Sequence, residues 1–180
     1  MRTYDMGIFL DLFGREPAAV PDGAGTIRRI ASELDKLDPD RAKYLASFAF
    51  ILARVASADH EVSDDEVAAM EALVVGKGGI SAEQATLVVQ MARAQQKLFG
   101  ATDDFLVTRE LGRIAEYDQK LALIDCLYAV ASADKRIFAA EGDEIGRIGR
   151  ELKVDQADLS RLRSSYRDFL EVRKGLPSSD

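Results

Sequence analysis

Two acidic segments of the sequence have residue types and a spacing that suit cation binding. Residues 59–66 read Asp-His-Glu-Val-Ser-Asp-Asp-Glu, and residues 134–141 read Asp-Lys-Arg-Ile-Phe-Ala-Ala-Glu. Each begins with an Asp, has an aliphatic residue three positions later and has a Glu four positions after that. The same separations join the carboxylate at position 5, the aliphatic residue at position 8 and the bidentate Glu at position 12 of a calcium-binding loop. The pattern therefore indicates ligation of a hard divalent cation.

Neither segment supplies a complete loop. Positions 1 and 3 would fall on Val55 and Ser57 in the first segment, so one turn offers too few oxygen ligands to hold a hard cation alone. We therefore expect the two turns to come together around one ion, with calcium, magnesium or manganese as the candidates. The predicted metal ligands are the carboxylates of Asp59, Glu61, Glu66, Asp134 and Glu141.

Helix capping is the alternative explanation for these carboxylates. Ser63 followed by Glu66 forms a capping box, which by itself accounts for the first glutamate. In the second segment Phe138 replaces the capping hydroxyl while Glu141 remains. A reciprocal capping box cannot form there, and we infer that Glu141 has a separate task.

Two cations of the second segment argue against a metal. Lys135 and Arg136 follow Asp134 directly, and their charges could neutralise Asp134 or Glu141 as salt bridges. Such pairs would replace a bound ion. The sequence leaves both readings of the second turn open.

The apolar residues that must position these turns recur at helical spacing along the whole body of the chain. No strand pattern competes, and the spacing predicts an all-α bundle of about eight helices. The predicted ranges are 26–37, 40–58, 64–76, 82–98, 103–115, 117–133, 139–151 and 156–172. The Pro- and Gly-containing residues 1–25 read as a leader and linker, residues 26–174 as one helical domain and residues 175–180 as a flexible tail.

An internal repeat organises the bundle. Val-Ala-Ser-Ala-Asp occupies residues 55–59 and recurs at residues 130–134, an offset of 75 positions. Each copy ends a helix that is apolar nearly all round, at 44–58 and at 121–133, as expected for helices at the centre of a bundle. We infer a duplicated three-helix unit packed around these two central helices.

Composition excludes several classes of protein. The 180 residues include 31 Asp and Glu but 24 Lys and Arg, a net charge of -7 that disfavours nucleic acid as a partner. One Cys and one His cannot build a disulfide scaffold or a zinc finger. The sequence shows no signal peptide, and no apolar run reaches the ~20 residues of a bilayer span, so we expect a cytoplasmic protein without an integral membrane segment.

The motif Val-Ala-x-Ala-Asp-x-x-[Val/Ile]-x-x-x-Glu, present twice at the ends of apolar helices, resembles the TerB tellurite-resistance family. The resemblance covers roughly residues 26–174. It implies a compact helical bundle, acidic turns that hold a divalent cation, and a role in bacterial stress or metal resistance. The family usually has Gly-Glu after the Asp, whereas this chain has His60-Glu61 and Lys135-Arg136.

The other reactive residue types indicate no catalytic group. His60 has no identifiable Ser or Cys nucleophile beside it, and Cys126 lies in an apolar helix as a packed small residue. We therefore expect a non-enzymatic binding or sensing module with a protein partner. In the alternative, it is a metal-free interaction scaffold that uses the apolar residues 6–13 of the leader or a C-terminal basic face formed by Arg147, Arg150, Arg161, Arg163 and Arg167. Neither reading fixes an oligomeric state.

Overall fold

Eight α-helices make up the regular structure of the residues described. A computed structural model of the chain describes residues 23–56, 64–98 and 104–170. Within these ranges the only β-structure is an isolated bridge between Ile137 and Leu170. The predicted all-α class is confirmed. The helices are α1 Gly23–Leu34, α2 Pro39–Val55, α3 Asp64–Gly78, α4 Ala82–Leu98, α5 Asp104–Ile114, α6 Tyr117–Ala131, α7 Ala139–Glu151 and α8 Gln156–Ser165.

Local signals in the sequence set several helix ends. The Asp38 carboxylate accepts hydrogen bonds from the backbone N–H groups of Asp40 and Arg41, and Pro39 occupies the first position of α2. Both features favour a helix start. At the C-terminal end of the next helix, α3, Gly79 has a φ of +66°, the left-handed conformation in which glycine commonly ends a helix.

The last helix is shorter than predicted. α8 ends at Ser165, whereas the apolar spacing extended it to 172. Leu162, Tyr166 and Leu170 recur every four residues, so the helical pattern continues through the break. The chain leaves the helix because Tyr166 stacks on Tyr128, with ring centroids 5.4 Å apart, and residues 166–169 form turns.

The two helices predicted to be central do occupy the middle of the bundle. α2 packs against α4, α5, α6 and α7, and α6 packs against α2, α3, α7 and α8. Their fully buried side chains include Phe48, Ile51, Leu123 and Leu127. Burial of large apolar side chains at this density is the main source of stability of such a bundle.

The packing of the two halves is partly alike. α2 contacts α4 as α6 contacts α8, and α3 contacts α4 as α7 contacts α8. The flanking helices differ, since α1 packs on α4 whereas α5 packs on α2 and α7. The duplicated unit stays a prediction from the sequence repeat. The fold itself places the two acidic turns after the central helices α2 and α6.

Candidate functional site

The first acidic turn lies largely outside the described residues. Asp59 and Glu61 fall between the described ranges, and Glu66 lies in the first turn of α3. The neighbouring structure fixes where the turn begins and ends, because α2 ends at Val55 and α3 begins at Asp64. The predicted roles of these three carboxylates remain predictions.

The second turn, residues 132–138, is tightly folded between α6 and α7. The Ser132 hydroxyl donates to the carbonyl of Ala129 at 2.9 Å, and the Lys135 N–H donates to the carbonyl of Ser132 at 2.8 Å. Lys135 has a φ of +62°, a conformation that favours glycine. The geometry therefore gives a physical reason for the glycine that the TerB pattern has after the Asp.

Ile137, the aliphatic residue of the motif, attaches the second turn to the C-terminal segment. Its N–H donates to the carbonyl of Phe169 at 2.7 Å, its side chain is buried, and it forms the bridge with Leu170. Leu170 in turn lies close to Gly142, where an added Cβ would be 3.5 Å from its Cδ2 atom. Residues 166–170 thus hold the turn in place, which the expectation of a continuous last helix had missed.

Glu141 has a capping role that the sequence analysis excluded. Its Oε2 atom accepts a hydrogen bond of 2.8 Å from the backbone N–H of Phe138, the residue before α7. The inference that capping does not explain this glutamate is wrong. Half of a capping box needs only the glutamate and a backbone N–H, so the loss of the hydroxyl at position 138 does not abolish it.

Asp134 remains available at the second turn. It is exposed, and within the described ranges it forms no ion pair with Lys135 or Arg136. The Arg136 guanidinium lies over the Phe138 ring instead, 4.6 Å from the centroid. Of the two neutralisations that the sequence left open, of Asp134 or of Glu141, the one of Asp134 by its neighbours is therefore not seen. Among the described residues, no three His, Cys, Asp or Glu side chains are grouped as metal ligands.

A buried polar cluster joins α2, α5 and α7, and sequence reasoning did not find it. The Arg54 side chain is 6% exposed and donates to Glu144 Oε1 at 3.0 Å and to the Thr108 hydroxyl at 2.7 Å. Glu151 Oε2 lies 3.6 Å from Arg54 Nη1, and Arg147 binds Glu144 from the same helix. A lone arginine in an otherwise apolar helix was the available signal, because a buried charge requires a partner.

Burial and hydrogen bonding act in opposite directions on the Glu144 carboxyl. Burial raises its pKa, but hydrogen bonds and charges from Arg147 and Arg54 outweigh that effect. The net pKa of Glu144 lies below its ordinary value, so the carboxylate is ionised throughout the neutral range. The cluster therefore contains true ion pairs between α2 and α7.

A second polar group lies where α6 faces α3 and the C-terminal segment. The Tyr166 hydroxyl donates to Asp125 Oδ1 at 2.7 Å, and Lys77 Nζ lies 3.1 Å from Asp125 Oδ2. Tyr128, one helical turn after Asp125 on α6, is only 2% exposed, because Tyr166, which follows α8, stacks on its ring.

Cys126 is a packed core residue, as expected. It is buried, and its free thiol has a pKa raised to about 12, first by burial and then by the charge of Asp125. A thiol with so high a pKa carries almost no thiolate at neutral pH. The structure therefore offers no reactive nucleophile at this position.

The arginines predicted to form a basic face are partly paired along the chain. Arg147 binds Glu144, Arg161 lies 2.6 Å from Asp158, and Arg167 lies 3.8 Å from Asp168. Arg150 and Arg163 are exposed. The ion pairs reduce the positive charge that this face presents.

The fold and its turns place the chain in a class of all-helical bundle domains, and a family comparison narrows that class. The family model described as tellurite resistance protein TerB matches residues 45–164, which is two thirds of the chain. The chain belongs to the TerB family, and the resemblance found in the sequence motif is confirmed. Curated proteins and solved structures gave no match. In the described residues, no helix combines the length and apolar character needed to cross a bilayer.

Proposed function

We propose that this TerB-family chain is a non-enzymatic binding module that holds a divalent cation between its two acidic turns. Ion binding would draw the two halves of the bundle together and so report the presence of the metal to a protein partner. The setting we propose is the cytoplasm of a bacterium, in a stress response related to tellurite resistance. The family membership supports that setting.

The exposed carboxylate of Asp134 is the observation that carries the proposal. Its neighbours Lys135 and Arg136 leave it unpaired within the described residues, so a negative charge remains open at the second turn. Glu141 is the second proposed ligand at this turn, next to the Phe138 N–H that it caps. The remaining oxygens would come from the first turn, through Asp59, Glu61 and Glu66.

Calorimetry of the metal-free full chain with calcium, magnesium, manganese and zinc tests the proposal. An ion that binds only the folded chain stabilises it by about 2.7 kcal/mol at a hundredfold excess over its dissociation constant. For a chain of this length that free energy raises the melting temperature by roughly 5–11 °C. The proposal fails if none of these ions releases heat on titration or raises the melting temperature at millimolar concentration.

Two variants of the second turn separate ligation from capping. Asp134→Asn removes an exposed charge, whereas Glu141→Gln keeps an oxygen that accepts from the Phe138 N–H while removing the ligand charge. We expect both variants to keep the melting temperature of the metal-free chain and to weaken ion binding at least tenfold. Asp35→Asn is the matched control, because Asp35 is an exposed carboxylate after α1, the helix that packs on α4.

The capping bond of Glu141 favours the scaffold as a second candidate function. In that case the carboxylates stabilise helix ends and the chain binds a protein partner without metal. Two results together support the scaffold. The wild-type chain binds no ion, and the melting temperature falls for Glu141→Ala but not for Glu141→Gln. Ion binding by the wild-type chain that Asp134→Asn weakens supports the metal module, whatever Glu141→Ala does to the melting temperature.

A further inference from the structure

The residues that follow α8 form a strap across the bundle and do not continue the α-helix. Tyr166, Arg167, Phe169 and Leu170 each donate their backbone N–H to the carbonyl three residues earlier, at 3.0–3.3 Å. This is the bond spacing of a 3₁₀-helix, whose hydrogen-bond geometry is poorer than that of an α-helix and which within a helical stretch often marks a hinge. We refer to residues 166–170 as the C-terminal strap.

The sequence of the C-terminal strap is also compatible with an α-helix. Leu162, Tyr166 and Leu170 lie four positions apart, the spacing that places side chains on one face of an α-helix. No Gly or Pro occurs between positions 156 and 174, so no residue of the strap forces α8 to end at Ser165. The helical alternative requires each N–H of the strap to change its acceptor from the carbonyl three residues back to the one four residues back.

Contacts with α6 hold one end of the C-terminal strap. The Tyr166 ring stacks on Tyr128 with centroids 5.4 Å apart, and the Tyr166 hydroxyl lies 2.7 Å from Asp125 Oδ1 and 3.2 Å from the Asp125 carbonyl oxygen. Lys77 of α3 lies 3.1 Å from the other carboxylate oxygen of Asp125. Tyr166 therefore anchors the strap to a polar group shared by two helices.

Contacts with the second acidic turn hold the other end. The Phe169 carbonyl accepts from the Ile137 N–H at 2.7 Å, and Leu170 forms the bridge with Ile137. Leu170 also lies beside Gly142, the residue after Glu141. In a continued α-helix the Phe169 carbonyl would accept from the N–H four residues later, and the Ile137 N–H would lose its partner. The strap and the turn must therefore change conformation together.

We propose that the C-terminal strap is a two-state element that regulates ion binding by the second acidic turn. The docked strap holds Ile137, and with it the backbone between the proposed ligands Asp134 and Glu141, whereas continuation of α8 through residue 170 releases that backbone. This regulation rests on the ion-binding function proposed above. Because linkage is reciprocal, an ion at the turn stabilises the docked strap by the same factor by which docking raises the affinity for the ion.

NMR of the metal-free full chain tests the two states of the strap. Tyr166→Leu removes the stacking and the hydroxyl bond and introduces a better helix former at the same apolar position. We expect the helical form to dominate in this variant. The Ile137 amide hydrogen should then exchange at least tenfold faster than in the wild type. A nuclear Overhauser contact should also appear between the Hα of residue 166 and the N–H of Leu170, which an α-helix brings together.

Tyr166→Phe provides a milder variant that keeps the buried ring. It loses only the hydroxyl bond to Asp125, so the Ile137 amide should exchange about fivefold faster than in the wild type. This measurement decides the proposal by itself if Tyr166→Leu does not fold. Wild-type exchange at Ile137 in Tyr166→Phe would overturn the proposal.

Tyr117→Leu is the matched control. The Tyr117 hydroxyl also donates to an aspartate, Asp158 at 2.8 Å, and also joins α6 to α8, but near the start of both helices. It should leave exchange at Ile137 unchanged. Equal acceleration in Tyr117→Leu and Tyr166→Leu would show that the Ile137 amide opens only with the whole fold, which overturns the proposal. Faster exchange in Tyr166→Leu without the contact between residues 166 and 170 would overturn the helical alternative.

Titration of the same chains with calcium chloride and magnesium chloride tests the regulation. The affinity of Tyr166→Leu should fall with the fraction of molecules that keep the strap docked, about tenfold when a tenth of them do, whereas Tyr117→Leu should bind as the wild type does. Equal affinities of all three chains would overturn the regulation while ion binding stands. A wild type that binds no ion would overturn the proposed function and the regulation together, and the metal-free exchange would still decide whether the strap has two states.

Discussion

The guanidinium of Arg54 donates to Glu144 Oε1 at 3.0 Å and so joins two residues that are 90 positions apart in the sequence. Arg54 lies at the end of α2, just before the first acidic turn, and Glu144 lies on α7, just after the second. The pair therefore connects the helices that flank the two turns. Any movement of one turn relative to the other must act against this buried contact.

Removing Arg54 should cost more than any exposed ion pair. Arg54→Met removes the buried cation that contacts both Glu144 and Glu151 and leaves Glu144 with Arg147 as its cationic partner. Breaking a buried pair from one side typically costs about 3–5 kcal/mol. We expect a loss of that order in the free energy of unfolding, measured by urea denaturation followed by circular dichroism.

Arg113→Met provides the comparison. Arg113 pairs with Glu110 at 2.8 Å within one helix, but its side chain is 74% exposed. Exposed pairs of this kind contribute little to stability because water and salt screen them, so we expect a much smaller loss for Arg113→Met. Equal losses for the two variants would show that the Arg54 cluster is solvated and does not connect α2 to α7.

The stability of the chain should fall in acid partly through Glu144. The folded pKa of this carboxyl is lowered, so the unfolded state binds more protons and its contribution is complete only above the ordinary value of 4.5. The contribution disappears as the pH falls through the folded pKa. We expect the stability difference between wild type and Glu144→Gln to be constant above about pH 5.5 and to shrink steadily below about pH 5.

Denaturation of both chains in urea between pH 3 and pH 8 measures this difference. Glu83→Gln is a useful reference, because the Glu83 carboxyl also has a lowered pKa but is fully exposed at the start of α4. Its main stabilising partners are its own backbone N–H and Ser81. A pH-independent gap between wild type and Glu144→Gln would show that the Glu144 carboxyl has the same pKa in both states.

The fold could be predicted from the sequence because one signal, apolar residues three and four positions apart, extends over nearly all of it. The polar clusters could not, because they depend on which helices meet. Arg54 looked like a single interruption of an apolar helix, and only the packing of α2 on α7 supplies Glu144 as its partner. Glu141 shows a different limit. The sequence analysis considered only the missing hydroxyl at position 138, whereas the glutamate caps the helix by accepting a hydrogen bond from the backbone N–H of Phe138.

Replacing either of two lysines that have a positive φ by glycine should stabilise the folded chain. Lys135 has a φ of +62° and Lys153 a φ of +59°. The Lys153 N–H donates to Arg150 and the Val154 N–H to Gly149, which is the bonding of a helix end that normally takes glycine at this position. A left-handed conformation costs a residue with a Cβ roughly 1–2 kcal/mol. Glycine avoids this cost, but part of the gain is offset because glycine loses more conformational entropy on folding.

We expect Lys135→Gly and Lys153→Gly each to raise the free energy of unfolding by about 0.5–1 kcal/mol. Lys120→Gly, within the regular helix α6, should lower it by about 1 kcal/mol. Thermal denaturation of the three variants distinguishes the positions. A loss at position 135 would mean that the Lys side chain stabilises the turn by more than its backbone conformation costs.

Gly149 and Gly76 should respond in opposite ways to alanine. Both lie in helices, where alanine is favoured by up to about 1 kcal/mol. A Cβ at Gly149 would overlap Leu159 Cδ2 and lie 3.3 Å from its Cγ, so the contact of α7 with α8 leaves no room for it. At Gly76 nothing lies within 4 Å of the added atom.

We therefore expect Gly149→Ala to destabilise the chain by about 1–3 kcal/mol, the usual cost of overpacking, despite its better helix propensity. Gly76→Ala should stabilise it by up to about 1 kcal/mol. Urea midpoints of the two variants measure both effects. If alanine stabilises the chain at both positions, Leu159 can rotate away and α8 is not held tightly against α7. A loss of stability at position 149 together with a gain at position 76 would show that the close approach of α8 to α7 requires the absence of a side chain at position 149. That approach also sets where the chain places Tyr166 after α8.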